Sequence, residues 1–282
     1  MRLPFTKMHG LGNDFMVLDL ISHPVSLSAD QIRQLADRQF GVGFDQMLLI
    51  EAPTQPDVDF NYRIYNCDGS EVEHCGNGAR CFARFVLDKG LTTRKKIRVR
   101  TQRGVIVLHV GDDDLVTVDM GTPDFTPASL PLRADQAAVY SRELQVEGKP
   151  VRVDFFAVSV GNPHAVIVVD DVDSAPVHSV GPALQAHADF PQGVNVGFMQ
   201  VVNRSTIRLR VYERGAGETR ACGTGACAAV VCGHAAGLLD TDVLAHLQGG
   251  DLNIHWEGKG SPIIMRGPAT SVFEGVIDVD TP

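Results

Sequence analysis

The sequence predicts an α+β protein with two pseudo-symmetric domains, each a curled, barrel-like and mostly antiparallel sheet around one central helix. Three observations lead to this prediction. Two stretches of the 282-residue chain are near-copies of each other, strand-like segments are short and numerous, and each half contains one largely apolar segment of helical length. Self-similarity at a fixed offset indicates repeated structural units, and each half is long enough to bury its own core.

The duplication carries one cysteine in each copy. The first copy contains Arg63-Ile64-Tyr65-Asn66, Glu71 and Cys75-Gly76-Asn77-Gly78-Ala79. The second copy contains Arg210-Val211-Tyr212-Glu213, Glu218 and Cys222-Gly223-Thr224-Gly225-Ala226. Corresponding residues lie 147 positions apart (222 − 75 and 210 − 63). One cysteine in each copy suggests two half-sites that face one substrate and are related by a pseudo-two-fold axis.

Helices are predicted from capping signals and apolar spacing. Ser28 and Gln31 form a capping box before apolar residues at helical spacing, and Gly41 is expected to end that helix. The mirrored element in the second half is predicted at residues 179–190. The two central helices are predicted at residues 78–89 and 225–236, each closed by a glycine.

Strands are predicted where apolar and polar residues alternate or where β-branched residues cluster. The predicted strands cover residues 58–65, 97–101, 105–110, 115–120, 152–160, 165–169, 207–212, 252–256 and 272–279. Proline and glycine cluster at Gly121-Thr122-Pro123, which is the expected domain boundary. Because the last strand could return to the first domain, the domains are predicted as 1–121 with 269–282, and 122–268.

Composition excludes several classes of protein. A net charge of −9 argues against a nucleic-acid-binding protein, which usually has a basic surface. The uncharged stretch from Ala221 to Leu239 contains too many glycines and cysteines for a membrane span, so it is interpreted as a buried helix. The N-terminus lacks the apolar stretch of a signal peptide, and we therefore expect a cytoplasmic protein.

Two of the six cysteines occupy chemically distinctive positions. Cys75 and Cys222 both lie in the turn before a glycine-led helix, where the positive end of the helix dipole stabilises an anion and can lower a thiol pKa. The cysteine spacings do not match a zinc site. The glycines fit the dinucleotide-binding fingerprint poorly, and no cofactor is predicted.

Polar uncharged residues form a second duplicated set. Asn13 corresponds to Asn162 and Gln46 to Asn195, both at an offset of 149 (162 − 13 and 195 − 46). Asn66 corresponds to Glu213 at an offset of 147 (213 − 66). Matched amides around matched cysteines predict a ring of hydrogen-bonding groups around a polar ligand, with His164 beside it.

At these residues the chain resembles the diaminopimelate epimerases, a family of cofactor-independent amino-acid epimerases with two cysteines. The matching segments run in order along nearly the whole chain: Lys7-Met8-His9-Gly10-Leu11-Gly12-Asn13-Asp14-Phe15, Gly41-Val42-Gly43-Phe44-Asp45-Gln46, Asp68-Gly69-Ser70, Cys75-Gly76-Asn77-Gly78-Ala79-Arg80-Cys81, Gly161-Asn162-Pro163-His164, and Glu213-Arg214-Gly215-Ala216-Gly217-Glu218-Thr219 with Ala221-Cys222-Gly223-Thr224-Gly225-Ala226. The resemblance implies two like domains with the substrate in the cleft between them. It also implies a homodimer with Phe273 near the dimer contact, where the family has a tyrosine.

The resemblance further implies a reaction and a set of site residues. The enzyme would interconvert L,L- and meso-2,6-diaminopimelate, with Cys75 and Cys222 as acid and base, in lysine and peptidoglycan precursor biosynthesis. The expected substrate-binding residues are Asn13, Gln46, Asn66, Gly76, Asn77, Asn162, Asn195, Glu213, Arg214, Gly223 and Thr224. Glu213 and His164 are expected to tune the thiols.

Two alternative functions remain open at this stage. A proline-racemase-like enzyme would use the same pair of cysteines but would not need a ring of amides. A thiol redox or sensor protein would use a reversible Cys75–Cys222 disulfide and would need no amino acid. Exchange of a substrate α-hydrogen with solvent would distinguish an epimerase from a redox protein.

Overall fold

The computed structural model describes residues 1–72, 76–102 and 104–279. The chain divides into two compact units. Unit 1 contains Met1–Asp119 together with the C-terminal segment from Arg266, and unit 2 contains Met120–Met265. The predicted division at residues 121 and 268 falls two and three residues beyond these boundaries (121 − 119 and 268 − 265).

Unit 1 is built from nine strands that lie wholly within its described residues and from two helices. These elements are β1 (Arg2–Gly10), β2 (Asn13–Asp19), α1 (Ala29–Ala36), β3 (Gln46–Glu51), β4 (Phe60–Asn66), β5 (Glu71–Val72), α2 (Gly76–Asp88), β6 (Lys96–Thr101), β7 (Gly104–Val110), β8 (Val116–Asp119) and β18 (Thr270–Asp278). Hydrogen bonding joins the strands in the order β18–β1–β2–β3–β4–β6–β7–β8. Only the β2–β3 and β4–β6 pairs in this series are parallel, and β5 pairs with β4.

Unit 2 repeats this arrangement. Its elements are β9 (Tyr140–Val146), β10 (Lys149–Ser159), β11 (Pro163–Val168), α3 (Val177–Gln185), β12 (Asn195–Asn203), β13 (Thr206–Glu213), β14 (Gly217–Thr219), α4 (Gly223–Ala235), β15 (Asp242–Leu247) and β16 (Gly250–His255), and β17 (Ile264–Gly267) spans the boundary. The order is β9–β10–β11–β12–β13–β15–β16, with parallel β11–β12 and β13–β15 pairs. Even the register is repeated, because Phe15 pairs with Gln46 as His164 pairs with Asn195, at the offset of 149 (164 − 15 and 195 − 46).

Each sheet surrounds one helix. Helix α2 packs against β1, β2, β3, β7, β8 and β18, and helix α4 packs against β10, β11, β12, β13, β15 and β16. Most residues of α4 are buried, including Cys227, Val231 and Cys232. A helix with strands on all sides has no face exposed to solvent and needs no polar face. This explains why the sequence of α4 is uncharged. The predicted α+β fold of two pseudo-symmetric, mostly antiparallel halves is confirmed.

Several helix boundaries predicted from the sequence are wrong. The central helices begin at Gly76 and Gly223, two residues before the predicted starts at 78 and 225. The capping box of α1 is confirmed, but the helix ends at Ala36 rather than near Gly41. Gly41 instead lies beside the end of α1 after the chain has turned back. A Cβ atom on residue 41 would lie 2.3 Å from the Gln34 carbonyl oxygen, so only glycine fits there. The helix predicted at residues 179–190, as the counterpart of α1 in unit 2, corresponds to α3, which is shorter than predicted.

In the ranges 1–72, 76–102 and 104–279, no helix combines the length and apolar character needed to cross a bilayer. The same ranges contain no cluster of three or more His, Cys, Asp or Glu side chains arranged to hold a metal ion.

Candidate active site

Cys222 lies at the point where unit 2 turns from its sheet into its central helix. The β13–β14 hairpin precedes it, and Cys222 is the N-cap residue of α4, with its Sγ atom accepting a hydrogen bond of 3.3 Å from the Gly225 backbone N–H. Only 4% of the residue is exposed. The sulfur therefore occupies the helix N-terminus, where backbone N–H groups favour negative charge.

The surroundings of Cys222 nevertheless favour the protonated thiol. Burial raises the pKa of the Cys222 thiol, and the negative charge of Glu213 raises it further. The Thr224 hydroxyl and the Gly225 N–H lower the pKa, but by less. The helix terminus does lower this pKa, as expected of that position, but desolvation outweighs the helix N–H groups. At neutral pH this thiol can donate a proton.

A chain of hydrogen bonds leads from His164 to the Cys222 sulfur. The His164 Nε2 and Asn162 Oδ1 atoms are 3.0 Å apart, Asn162 Nδ2 donates to Thr224 Oγ1 at 3.4 Å, and Thr224 Oγ1 lies 3.5 Å from Cys222 Sγ. Burial and the positive charge of Arg214 lower the pKa of His164 to about 3. The imidazole is therefore neutral at physiological pH, and an Nε2–H that donates to Asn162 Oδ1 leaves Asn162 Nδ2 to donate to the Thr224 hydroxyl. Between Thr224 Oγ1 and Cys222 Sγ either atom can be the donor.

The remaining predicted residues of unit 2 adjoin this chain. The Arg214 backbone N–H donates to Asn195 Oδ1 at 2.8 Å, and Asn195 Nδ2 donates to the Pro163 carbonyl oxygen at 3.1 Å. The Thr219 hydroxyl donates to the Glu213 carboxylate. Unit 2 thus brings together all of its predicted site residues: Asn162, His164, Asn195, Glu213, Arg214, Cys222, Gly223 and Thr224.

In unit 1, Cys75 lies outside the described residues. The next two residues, Gly76 and Asn77, begin α2 and are buried. Gln46 and Asn66 face each other across β3 and β4, and Gln46 Nε2 donates to Asn66 Oδ1 at 3.0 Å. Within the described part of the chain, the buried Gln46 Oε1 atom has no hydrogen-bond partner. Because a buried acceptor is costly to leave unsatisfied, a ligand with a hydrogen-bond donor would be stabilised beside it.

Asn13 connects the strands of unit 1 to the start of α2. Its Nδ2 atom donates to Asp45 Oδ2 at 3.0 Å, and its Oδ1 atom accepts from Asn77 Nδ2 at 3.3 Å. Arg80, which is fully buried, donates to Asn77 Oδ1 at 2.8 Å. Asp45 and Arg80 are polar residues of this site that the sequence interpretation did not select. An arginine inside an apolar central helix was the signal that could have identified Arg80.

Phe273 lies on β18, which pairs with β1. Half of Phe273 (49%) is exposed, and its ring packs edge-on against Phe5 with the ring centroids 6.0 Å apart. Val272 and Val276 on the same strand are also exposed apolar residues.

Sequence comparisons point to one family. The family model described as diaminopimelate epimerase matches residues 5–126 and 156–272. The chain is 58% identical to the diaminopimelate epimerase of Cupriavidus pinatubonensis, over 99% of this chain and 98% of that protein. It is 60% identical to the diaminopimelate epimerase of Chromobacterium violaceum, over 99% of this chain and 100% of that protein.

Solved structures with low sequence identity share the fold. A hydroxyproline epimerase from Agrobacterium vitis gives a TM-score of 0.67 at 17% identity and covers 100% of this chain and 94% of its own. A PhzF-family phenazine biosynthesis protein from Bacillus anthracis gives a TM-score of 0.69 at 13% identity, over 99% of this chain and 100% of that chain. At such identities the likeness establishes the architecture alone.

Proposed function

The chain belongs to the diaminopimelate epimerase family, and from this premise we propose that it interconverts L,L- and meso-2,6-diaminopimelate by two-base proton transfer at one α-carbon. It is an isomerase of lysine biosynthesis, and the meso product also serves as a peptidoglycan precursor. The observation that carries the two-base scheme is the duplication. Cys75 directly precedes Gly76, the first residue of α2, as Cys222 directly precedes Gly223, the first residue of α4.

Inversion of a tetrahedral carbon through a planar carbanion requires a base on one face and an acid on the other. Cys75 and Cys222 supply these groups, one as thiolate and one as thiol, and exchange roles when the reaction reverses. The raised pKa of Cys222 supports its role as the acid in the free enzyme. Glu213 would bind the substrate ammonium group, which would offset the carboxylate charge and so lower the pKa of the neighbouring thiol.

The carbanion needs stabilisation by groups that are already in place. Backbone N–H groups at the starts of α2 and α4, near Gly76, Asn77, Gly223 and Thr224, would bind the α-carboxylate as negative charge develops. The distal amino-acid group of the substrate would be bound by Asn13, Gln46, Asn66, Asn162, Asn195 and Arg214. Arg214 is suited to the distal carboxylate because a guanidinium can form two parallel bonds with it. The proposed mechanism uses no cofactor.

We further propose that the protein is a homodimer and that it acts in the cytoplasm. The exposed apolar residues Val272, Phe273 and Val276 on β18 support this strand as the dimer contact, because such a patch is stabilised when a partner covers it. Sedimentation of the purified chain measures its mass in solution directly.

The test of the function compares two cysteines of the same element. Cys222→Ala should abolish conversion of L,L- to meso-diaminopimelate, since one face of the carbon loses its proton carrier. Cys232→Ala removes a buried thiol further along α4 and should leave the rate within about threefold. Both variants are assayed by chiral chromatography together with Cys75→Ala, which should also be inactive.

Chiral chromatography also tests one alternative function and the two-base scheme itself. Racemisation of free L-proline by the wild-type chain would favour a proline-racemase-like enzyme. Wild-type turnover in the Cys222→Ala variant would exclude the two-base scheme.

A further inference from the structure

We propose that Asp45 and Arg80 are positioning residues that fix the orientation of the Asn13 and Asn77 side-chain amides in unit 1. The amides lie between these two charged residues in one hydrogen-bonded series. The proposal rests on the proposed function in one respect, namely that Asn13 contacts the substrate.

The two ends of the series have opposite and unchangeable hydrogen-bonding character. Arg80 Nη2 donates to Asn77 Oδ1 at 2.8 Å, and a guanidinium can only donate. At the other end, Asn13 Nδ2 donates to Asp45 Oδ2 at 3.0 Å, and an ionised carboxylate can only accept.

The middle bond then has a single possible direction. Asn77 uses its oxygen for Arg80, so its Nδ2 atom faces Asn13 and donates to Asn13 Oδ1 at 3.3 Å. An isolated asparagine amide can rotate by half a turn and exchange its donor for its acceptor. Here such a rotation would place donor against donor at Arg80 or acceptor against acceptor at Asp45. The charged ends therefore determine both amide orientations.

Both charged residues are themselves held in place. Arg80 is fully buried and also donates to the carbonyl oxygens of Pro268, at 3.0 Å, and Gly76, at 3.3 Å. Asp45 accepts from the Arg38 guanidinium at 2.7 Å and from the Asp14 backbone N–H at 3.1 Å. With both ends held by further hydrogen bonds, rotation of either amide would break its bond to the charged neighbour.

Unit 2 shows that the fold does not need this pair of charges. At an offset of 149 the position of Asp45 is taken by Val194, and at an offset of 147 that of Arg80 is taken by Cys227 (45 + 149 and 80 + 147). Both residues are buried and uncharged in the same sheet and helix context. The fold is thus compatible with apolar residues at these positions, and the charges of unit 1 are better explained by the amides that they orient.

The kinetic test is Asp45→Asn. An asparagine at position 45 can donate or accept, so Asn13 Nδ2 loses its ionised acceptor and the Asn13 amide is oriented less firmly, from the Asn77 side, while the side chain at position 45 keeps its size. We expect KM for diaminopimelate to rise about tenfold, as for loss of one charge-assisted hydrogen bond, with kcat within about threefold. In an Asn13→Ala background, Asp45→Asn should cause no further rise, because no amide is left to orient.

The matched control is Asp59→Asn in the same unit. Asp59 also accepts from one arginine, Arg94 at 2.8 Å, and from one backbone N–H, that of Arg98 at 2.8 Å. Its loss removes similar contacts away from the amides and should leave KM within about twofold. An unchanged KM in Asp45→Asn, or the same rise with and without Asn13, would overturn the proposal.

A second measurement does not depend on activity. The Nδ2 proton resonances of Asn13, assigned by their loss in Asn13→Ala, should shift in Asp45→Asn and stay in place in Asp59→Asn. Unshifted Asn13 resonances in Asp45→Asn would overturn the positioning role even if the enzyme is active. If the wild-type chain does not epimerise diaminopimelate but the Asn13 resonances still shift in Asp45→Asn, the proposed function is refuted and the amide orientation is established.

Discussion

At the scale of single residues, the Cys222 thiol is controlled by two opposing sets of neighbours. Burial and the carboxylate of Glu213 raise the thiol pKa, whereas the Thr224 hydroxyl and the Gly225 N–H lower it. The first set can change during a catalytic cycle, because a substrate cation would compensate the Glu213 charge. The second set belongs to the helix terminus and is always present. This combination favours the protonated thiol in the free protein, and on the proposed function it would allow the thiol to ionise once substrate is bound.

Substitutions in the two sets should have opposite effects on the titration of Cys222. Glu213→Gln removes a negative charge and should lower the thiol pKa, and Thr224→Val removes a donor to Sγ and should raise it. The 13Cβ resonance of Cys222, followed against pH in protein with labelled cysteine, measures this titration directly. Shifts of the same sign in both variants would show that the local charges do not control the thiol.

At the scale of elements, the hairpin before each cysteine is fastened by a duplicated ion pair. Arg63 donates to both carboxylate oxygens of Glu71 at 2.9 Å and thereby connects β4 with β5. Arg210 donates to Glu218 at 2.6 and 2.9 Å and connects β13 with β14. Two-point pairs of this kind fix geometry as well as charge. Each pair therefore fixes the geometry of its hairpin, and in unit 2 the hairpin leads to Cys222 at the start of α4.

The two ion pairs should differ in their contribution to stability. The side chains of Arg210 and Glu218 are 16% and 10% exposed, against 41% and 24% for Arg63 and Glu71. Arg210→Lys should lower the free energy of unfolding by about 1–2 kcal/mol, and Arg63→Lys by less than about 1 kcal/mol, since solvent screens the second pair more. Thermal unfolding of the two variants provides the comparison. Equal losses, or a larger loss for Arg63→Lys, would contradict the importance of burial.

Elements with local signals were predictable from the sequence. The capping box at Ser28 is a contact between neighbours in the chain, and it forms as expected. Strand β3 gave no such signal, because Met47 to Ile50 are all buried and an unbroken apolar run has no alternation. In β1, the polar residues Thr6 and Lys7 are buried and obscure the pattern.

The candidate active site, like the secondary structure, was predictable only where the sequence carries a signal. The duplication marks the matched amides and cysteines, so Asn13, Gln46 and Asn66 can be identified from the sequence alone. Asp45 was not selected, because its contact with Asn13 joins residues 32 positions apart and has no counterpart in unit 2. The early start of α4 was also hidden, since Cys222 is not among the residues that usually cap a helix.

At the scale of the whole molecule, one duplicated architecture carries two different environments. The strand pairings of unit 1 recur in unit 2, yet charged residues hold the amides of unit 1 while the neutral His164 begins the hydrogen-bond chain in unit 2. An enzyme that inverts a centre needs an acid and a base of similar kind on opposite faces. Duplication would provide this likeness, while the different neighbouring residues give the amides of the two halves different electrostatic surroundings.

The central claim is that two separate thiols remove and deliver the proton, and isotope labelling tests it most directly. In deuterated water, at early times from L,L-diaminopimelate, the meso product should carry deuterium at the inverted α-carbon while the remaining substrate keeps its protium. The abstracted proton stays on one cysteine, and the other cysteine, already equilibrated with solvent, delivers deuterium from the opposite face. Transfer of the substrate's own protium into the product in most turnovers would contradict separate acid and base residues.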